Sequence, residues 1–157
     1  MDMAPVIDDQ PIANNVQTLE DDEAARKAAD EASRKNEENA LNAAKKLIEL
    51  PIDQYALNQT EPAAYQIQRL DEKIVLLQQY PNLRFYIYGH TCDIDTRNAN
   101  ERVGFGRHAQ AKAYLISKGI DESRILGCES KRDTQPVAPN TSEANRRKNR
   151  RVQLIIP

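Results

Sequence analysis

Tryptophan is missing from this 157-residue chain, and two phenylalanines and six tyrosines are its only aromatic residues. A protein that holds single-stranded nucleic acid needs stacking rings along a basic groove. Here the rings are few, and 22 basic side chains are outweighed by 24 acidic ones for a net charge of −2. Nucleic acid is therefore not an expected partner. No apolar run approaches the roughly 20 residues that cross a bilayer, so no membrane insertion by this chain is expected.

Cysteine and histidine are equally scarce: His90, Cys92, His108 and Cys128 are all there are. Their spacing matches no zinc motif. A Cys–His nucleophile pair would need an activated thiolate and an oxyanion hole as well. The expectation is no enzyme activity, no metal and no cofactor. Two thiols permit one disulfide and do not identify a compartment. The opening Met1-Asp2-Met3-Ala4 has neither a basic start nor an apolar core, so it does not read as a signal peptide. A cytosolic protein and a segment of a longer exported one both fit.

What is present divides into an appendage, residues 1–46, and a domain, residues 47–157. Residues 1–20, with Pro5, Pro11 and Asn14-Asn15, lack periodicity and read as disordered or linker. From Glu20 to Lys46 the composition shifts to Ala and charged residues, with acid–base pairs such as Asp22–Arg26, Glu23–Lys27 and Asp30–Arg34 at helical spacing. Such a helix has little apolar stripe; it reads as a solvated spacer or as an oligomerising helix.

Leu47 to Ile52 reads as a first strand, placed at an edge or given a bulge by Pro51. A helix follows to Gln79, with Thr60 as N-cap and Tyr65, Ile67, Leu70, Ile74 and Leu77 on its apolar face. Phe85 to Tyr88 is the central strand. A polar loop with His90, Thr91, Cys92, Asp93, Asp95 and Asn98 leads into a helix that ends at Lys118, before Gly119. Gly104 and Gly106 inside that helix are unfavourable by about 1 kcal/mol each and imply close packing against the loop or sheet. Ser123 to Gly127 reads as a third strand, Thr141-Ser142-Glu143 as the start of a short helix, and Arg150 to Ile156 as the last strand. This order makes a layered α/β domain, with convergent polar groups beyond the end of its central strand.

Three separated motifs carry a resemblance: Gly89-His90-Thr91, then Asn100 and Arg107, then Asn149-Arg150-Arg151-Val152. Together they resemble the C-terminal OmpA-like domain, shared by peptidoglycan-associated lipoprotein and flagellar stator protein B. The resemblance spans Ile48 to Ile156. It implies a βαβαβ(α)β fold, a mixed four-stranded sheet with helices packed on one face. It also implies non-covalent binding of peptidoglycan on the periplasmic side of the outer membrane. An Arg at the position of Arg107 would grip the carboxylate of a diaminopimelate residue, with Thr91, Asn100 and Arg146 near the ligand. The family's Asp, which meets the ligand's ammonium, is Cys92 here, so Asp93 becomes its expected substitute. The replacement leaves a second reading open, a scaffold or homo-oligomer that kept the fold and lost the ligand. For Arg107 the bland reading is a salt bridge to Asp93 or Asp95. For the arginines of residues 146–151 it is a solvated face with one buried ion pair. If the second and third strands are parallel neighbours, as the family fold implies, Cys92 and Cys128 form either a disulfide at one sheet edge or two free thiols.

Overall fold

A computed structural model describes Ala4 and residues 12–157, with side chains from Val16 onward in the first helix. The chain divides into two compact units, Met1–Leu41 and Asn42–Pro157. The expectation for residues 1–20 lies outside the described residues as far as residue 11. From Ile12 the chain is already helical, and α1 runs Ile12–Glu49. In the first unit every described side chain from Val16 to Ala40 is exposed, and Glu23 and Lys27 approach to 3.9 Å. Alanine and charged side chains with high helix propensity suffice for such a segment.

The second unit holds the end of α1, then α2 (Ala64–Gln79), β1 (Phe85–His90), α3 (Arg97–Ser117), a single 3-10 turn (Glu122–Arg124), β2 (Ile125–Arg132), α4 (Glu143–Asn149) and β3 (Arg151–Ile155). The strands form one mixed sheet in the order β2-β1-β3, β1 being parallel to β2 and antiparallel to β3. The sheet has three strands rather than the expected four. Leu47 and Ile48 belong to α1, where Ala44 and Ile48, one turn apart, are both buried. Only Ile52 reaches the sheet, exchanging bonds of 2.8 and 2.9 Å with Val152. Pro51 explains both facts: it disfavours helix in the residue before it and has no N–H for a ladder. With Ala44 in the core, the second unit starts ahead of the expected Leu47.

Other boundaries shift for local reasons. α2 starts after Ala63 rather than Thr60, because Gln66 reaches back and accepts from the Ala63 amide at 2.9 Å. Its buried face is Gln66, Leu70, Lys73, Ile74 and Leu77, whereas Tyr65 is exposed. Lys73 is buried because its Nζ donates to the Leu47 carbonyl at 2.8 Å, satisfying an orphan acceptor at the end of α1. β2 begins at Ile125 and continues to Arg132, well beyond Gly127. Gly119, at φ +96°, ends α3 as expected.

The core is one cluster. Phe85 and Ile87 of β1 and Val152 and Leu154 of β3 meet Leu70, Ile74 and Leu77 of α2 and Ala111 and Leu115 of α3. Ile48, Ile52 and Tyr55 close it. The helices can lie this near the sheet because of two glycines. A Cβ on Gly89 would stand 1.9 Å from the Gly104 carbonyl oxygen, and one on Gly104 would stand 2.1 Å from Ser130 Oγ. Gly89→Ala is therefore expected to destabilise by about 3 kcal/mol or more, the obstacle being backbone. Ile48→Ala is expected to cost about 2–5 kcal/mol through the cavity it leaves. Urea unfolding of both variants checks this, and a Gly89→Ala midpoint equal to wild type would refute the close approach.

Candidate ligand-binding site

Contact between Gly89 and Gly104 fixes where Arg107 lands, since Arg107 lies one turn further along α3. Its guanidinium is 1% exposed and sits beneath the end of β1. Nε donates to the Gln59 carbonyl at 2.8 Å, Nη1 to that of His90 at 2.8 Å, and Nη2 to that of Ala56 at 3.0 Å. The ring of Tyr55 lies under it at 5.1 Å. Burial lowers the Arg107 pKa to about 10, so it stays cationic at neutral pH. The loop it holds passes through left-handed residues at Gln54 and Asn58, and Thr60 packs on Gly106, where a Cβ would meet Thr60 Cγ2 at 2.6 Å. Gly104 thus faces the sheet and Gly106 the loop, as the sequence implied.

The bland reading of Arg107, a salt bridge to Asp93 or Asp95, is not what forms: its three hydrogen bonds go to backbone carbonyls. Asp93 instead pairs with Arg146, Oδ1 to Nε at 3.2 Å, on the exposed rim. Arg146 also donates to the Asn140 carbonyl at 3.0 Å. Asp95, at φ +88°, turns its Oδ1 to the Thr96 amide, and Thr96 caps α3 by accepting from Ala99. Asn98 falls in the first turn of α3, and Asn100 is buried on it. Thr91 is buried, its amide bonded to the Arg132 carbonyl at 2.8 Å and its Oγ1 without a partner.

Cys92 is 1% exposed and meets a second buried guanidinium, Arg150 Nη1, at 3.5 Å. Arg150 donates from Nε to the Tyr55 carbonyl at 2.6 Å and from Nη2 to Glu143 Oε1. The Glu143 carboxyl is held below the usual carboxylate range, first by the bond from Arg150. The site thus gathers Arg107, Cys92 and Arg150 inside, with Asp93, Arg146, Glu143 and Arg147 at the rim. Arg150 and Glu143 were legible as motif residues but were not placed among the site residues. Their signal was spacing: Glu143, Arg147 and Arg150 fall at i, i+4 and i+7 on one side of α4. The expected buried ion pair among these arginines is the one from Arg150 to Glu143.

The other residues of the Asn149-Arg150-Arg151 motif are scaffolding. Asn149 Oδ1 accepts from Val137 and Ala138, and Nδ2 donates to the Ala138 carbonyl and Asn140 Oδ1. Arg151 Nη2 holds the Gln135 carbonyl at 2.8 Å. The loop between β2 and α4 is pinned from both sides.

A disulfide does not form: Cys92 and Cys128 are both free thiols. Cys128 lies inside β2 opposite Ile87, whereas the residue opposite His90 is Arg132. Four residues of β2, a rise of about 13 Å, lie between Cys128 and the Arg132 that faces His90, and Cys92 follows His90 in the loop; a disulfide needs α-carbons within about 7 Å.

A mixed sheet with helices on one face, and buried arginines and a polar loop at one end of its central strand, defines an α+β binding domain. Residues 52–150 match the OmpA family, and the chain belongs to it. The family's domain is non-enzymatic. Outer membrane protein A of Bordetella avium is 43% identical over 68 residues, 43% of this chain and 34% of that protein. A peptidoglycan-associated lipoprotein of Buchnera aphidicola is 27% identical over 143 residues, 91% of this chain and 82% of that one. The C-terminal domain of Helicobacter pylori MotB superposes with a TM-score of 0.62 at 21% identity, covering 68% of this chain and 83% of that domain. The chain spans about a third of the Bordetella relative, and these relatives are cell-envelope proteins by name. No helix among the described residues is long and apolar enough to cross a membrane.

Two buried histidines border the site, and both have lowered pKa values. Burial brings His90 down to about 3, with Arg151 and Lys131 adding to the effect; His108 is lowered mainly by burial. The unfolded chain therefore binds protons that the native chain does not. The contribution of His90 is complete above an unfolded pKa of about 6.5 and is lost as pH falls towards 3, at up to about 1.4 kcal/mol per pH unit; that of His108 has the same sign. Urea midpoints are expected to drop between pH 7 and pH 5 and to drop less in His90→Asn. A midpoint constant over that interval would contradict the burial of these rings in neutral form.

Proposed function

We infer that this domain binds peptidoglycan non-covalently, through a stem peptide of the diaminopimelate type, and ties an outer-membrane or periplasmic protein to the cell wall. Membership of the OmpA family supports this. The observation that carries it is the convergence of Arg107, Arg150 and the Asp93–Arg146 pair around the polar loop that follows β1. A stem peptide offers carboxylates, for which guanidinium is the planar, two-bond partner. Arg146 and Arg147 hold donors at the rim, while Arg107 and Arg150 set the potential from behind. Thr91 and Asn100 supply neutral contacts. The place of action is the periplasmic side of the outer membrane.

A second reading has its own observation. Arg107 is almost wholly buried and engaged by three carbonyls, and Cys92 offers no charge. Such a site also suits a scaffold that kept the fold without the ligand, with α1 as the segment for homo-oligomers. Co-sedimentation separates the two readings. The protein is expected to pellet with sacculi of the diaminopimelate type and to be released by free stem peptide. Arg146→Ala, at a rim position outside the core, is expected to lower retention about tenfold, the worth of one charge-assisted bond. Wild-type protein that stays in the supernatant would leave the scaffold reading standing.

A further inference from the structure

We propose that this site selects its ligand by carboxylate alone and accepts stems whose side-chain amine is already acylated, as in a cross-link. The proposal rests on the peptidoglycan reading and specifies which stems the site takes. Four guanidinium groups converge here, from Arg107, Arg146, Arg147 and Arg150, and the carboxylates among them are those of Asp93 and Glu143. Both carboxylates are engaged: Asp93 by Arg146, and Glu143 by Arg150 and, at 3.5 Å, by Arg147. The side chain beside Arg150, where the family resemblance implies an Asp, is a thiol: Cys92 Sγ lies 3.5 Å from Arg150 Nη1. Among these six side chains an incoming ammonium meets no carboxylate that is not already held by an arginine, and the four guanidinium groups outnumber the two carboxylates by two; the loop's other acid, Asp95, turns its Oδ1 to the Thr96 amide.

Burial strengthens this bias. Arg107 and Arg150 are each 1% exposed, so salt and water screen them less than surface charges. Their field favours an anion and disfavours a cation at the same mouth. Acylating an amine removes its positive charge and leaves the stem's carboxylates in place. For most zwitterion sites that change removes an ion pair. Here it removes a repulsion. In a cross-linked wall the acceptor stem carries its side-chain amine as an amide, so the site reads the cross-linked acceptor stem as well as the free one.

The test uses the full chain and two probes: a diaminopimelate-containing tripeptide stem with its side-chain amine free, and the same stem N-acetylated there. Calorimetry on wild type is expected to give the acetylated stem a dissociation constant no more than fivefold above that of the free-amine stem. Cys92→Asp, which places a carboxylate against Arg150, is expected to favour the free amine by more than fivefold. Arg147→Glu, at a rim position whose side chain is 47% exposed, serves the same purpose should Cys92→Asp fail to fold by circular dichroism. Wild type favouring the free amine by more than fivefold overturns the proposal. So does indifference in a folded acidic variant, since a missing acid would then not be the cause. If neither probe binds and sacculi do not retain the protein, the peptidoglycan reading itself fails, a result distinct from a preference for one probe.

Discussion

Burying two guanidinium groups at one end of a small sheet is the constraint on which this structure depends. A charge removed from water requires partners for its donors, or the cost runs to several kcal/mol. Arg107 meets that requirement with the carbonyls of Ala56, Gln59 and His90, and Arg150 with the carbonyl of Tyr55 and the carboxylate of Glu143. Each bond ties a different segment to the same point. The loop before α2, the end of β1, α3 and α4 are all registered by these two side chains. The contact of Gly89 with Gly104 is what permits it, because only backbone against backbone brings α3 near enough for Arg107 to reach the His90 carbonyl.

Much of this was legible in the chain. The order of the later elements follows from periodicity and breakers: Gly119 closes α3, Ser142 caps α4 by accepting from Asn145, and β3 alternates. Gly104 and Gly106 announced a close approach because each is costly inside a helix. The run Leu47 to Ile52 was ambiguous for a physical reason. Ala44 and Ile48 satisfy a helical period while Ile48, Leu50 and Ile52 satisfy a strand's, and tertiary packing chose the helix. β2 ran longer than its apolar centre because Glu129 and Lys131 are polar. They alternate on a half-open face, where Lys131 lies 4.6 Å above the Tyr88 ring and bonds Glu129 at 2.9 Å.

The same extension separates the cysteines. A disulfide between Cys92 and Cys128 required the strand to end at Gly127, and it ends at Arg132. Partnerships of the site were harder to read than its location. Sequence spacing places Arg107 and residue 92 at one end of the sheet, but it does not say whether a guanidinium will meet carboxylate or carbonyl. That depends on a loop 48 to 51 residues away in sequence, whose path is set by left-handed Gln54 and Asn58.

Carbonyl partners have a consequence that carboxylate partners lack. A carboxylate cancels the charge it solvates, whereas a carbonyl satisfies the donors and leaves the charge in place. Arg107 is satisfied in this second way. Glu143 cancels one buried charge while Asp93 offsets Arg146 on the rim. Arg107 is therefore satisfied as a hydrogen-bond donor without being neutralised. On the peptidoglycan reading, an anion from outside would supply the missing charge without disturbing the bonds that hold the loop. Arg107 stabilises through the direction of its donors, and on the peptidoglycan reading its charge is what remains for a ligand. A substitution at Arg107 that keeps neither disrupts the fold before it reports on the ligand, which is why the rim, where Arg146 and Arg147 stand outside the core, is where binding can be read.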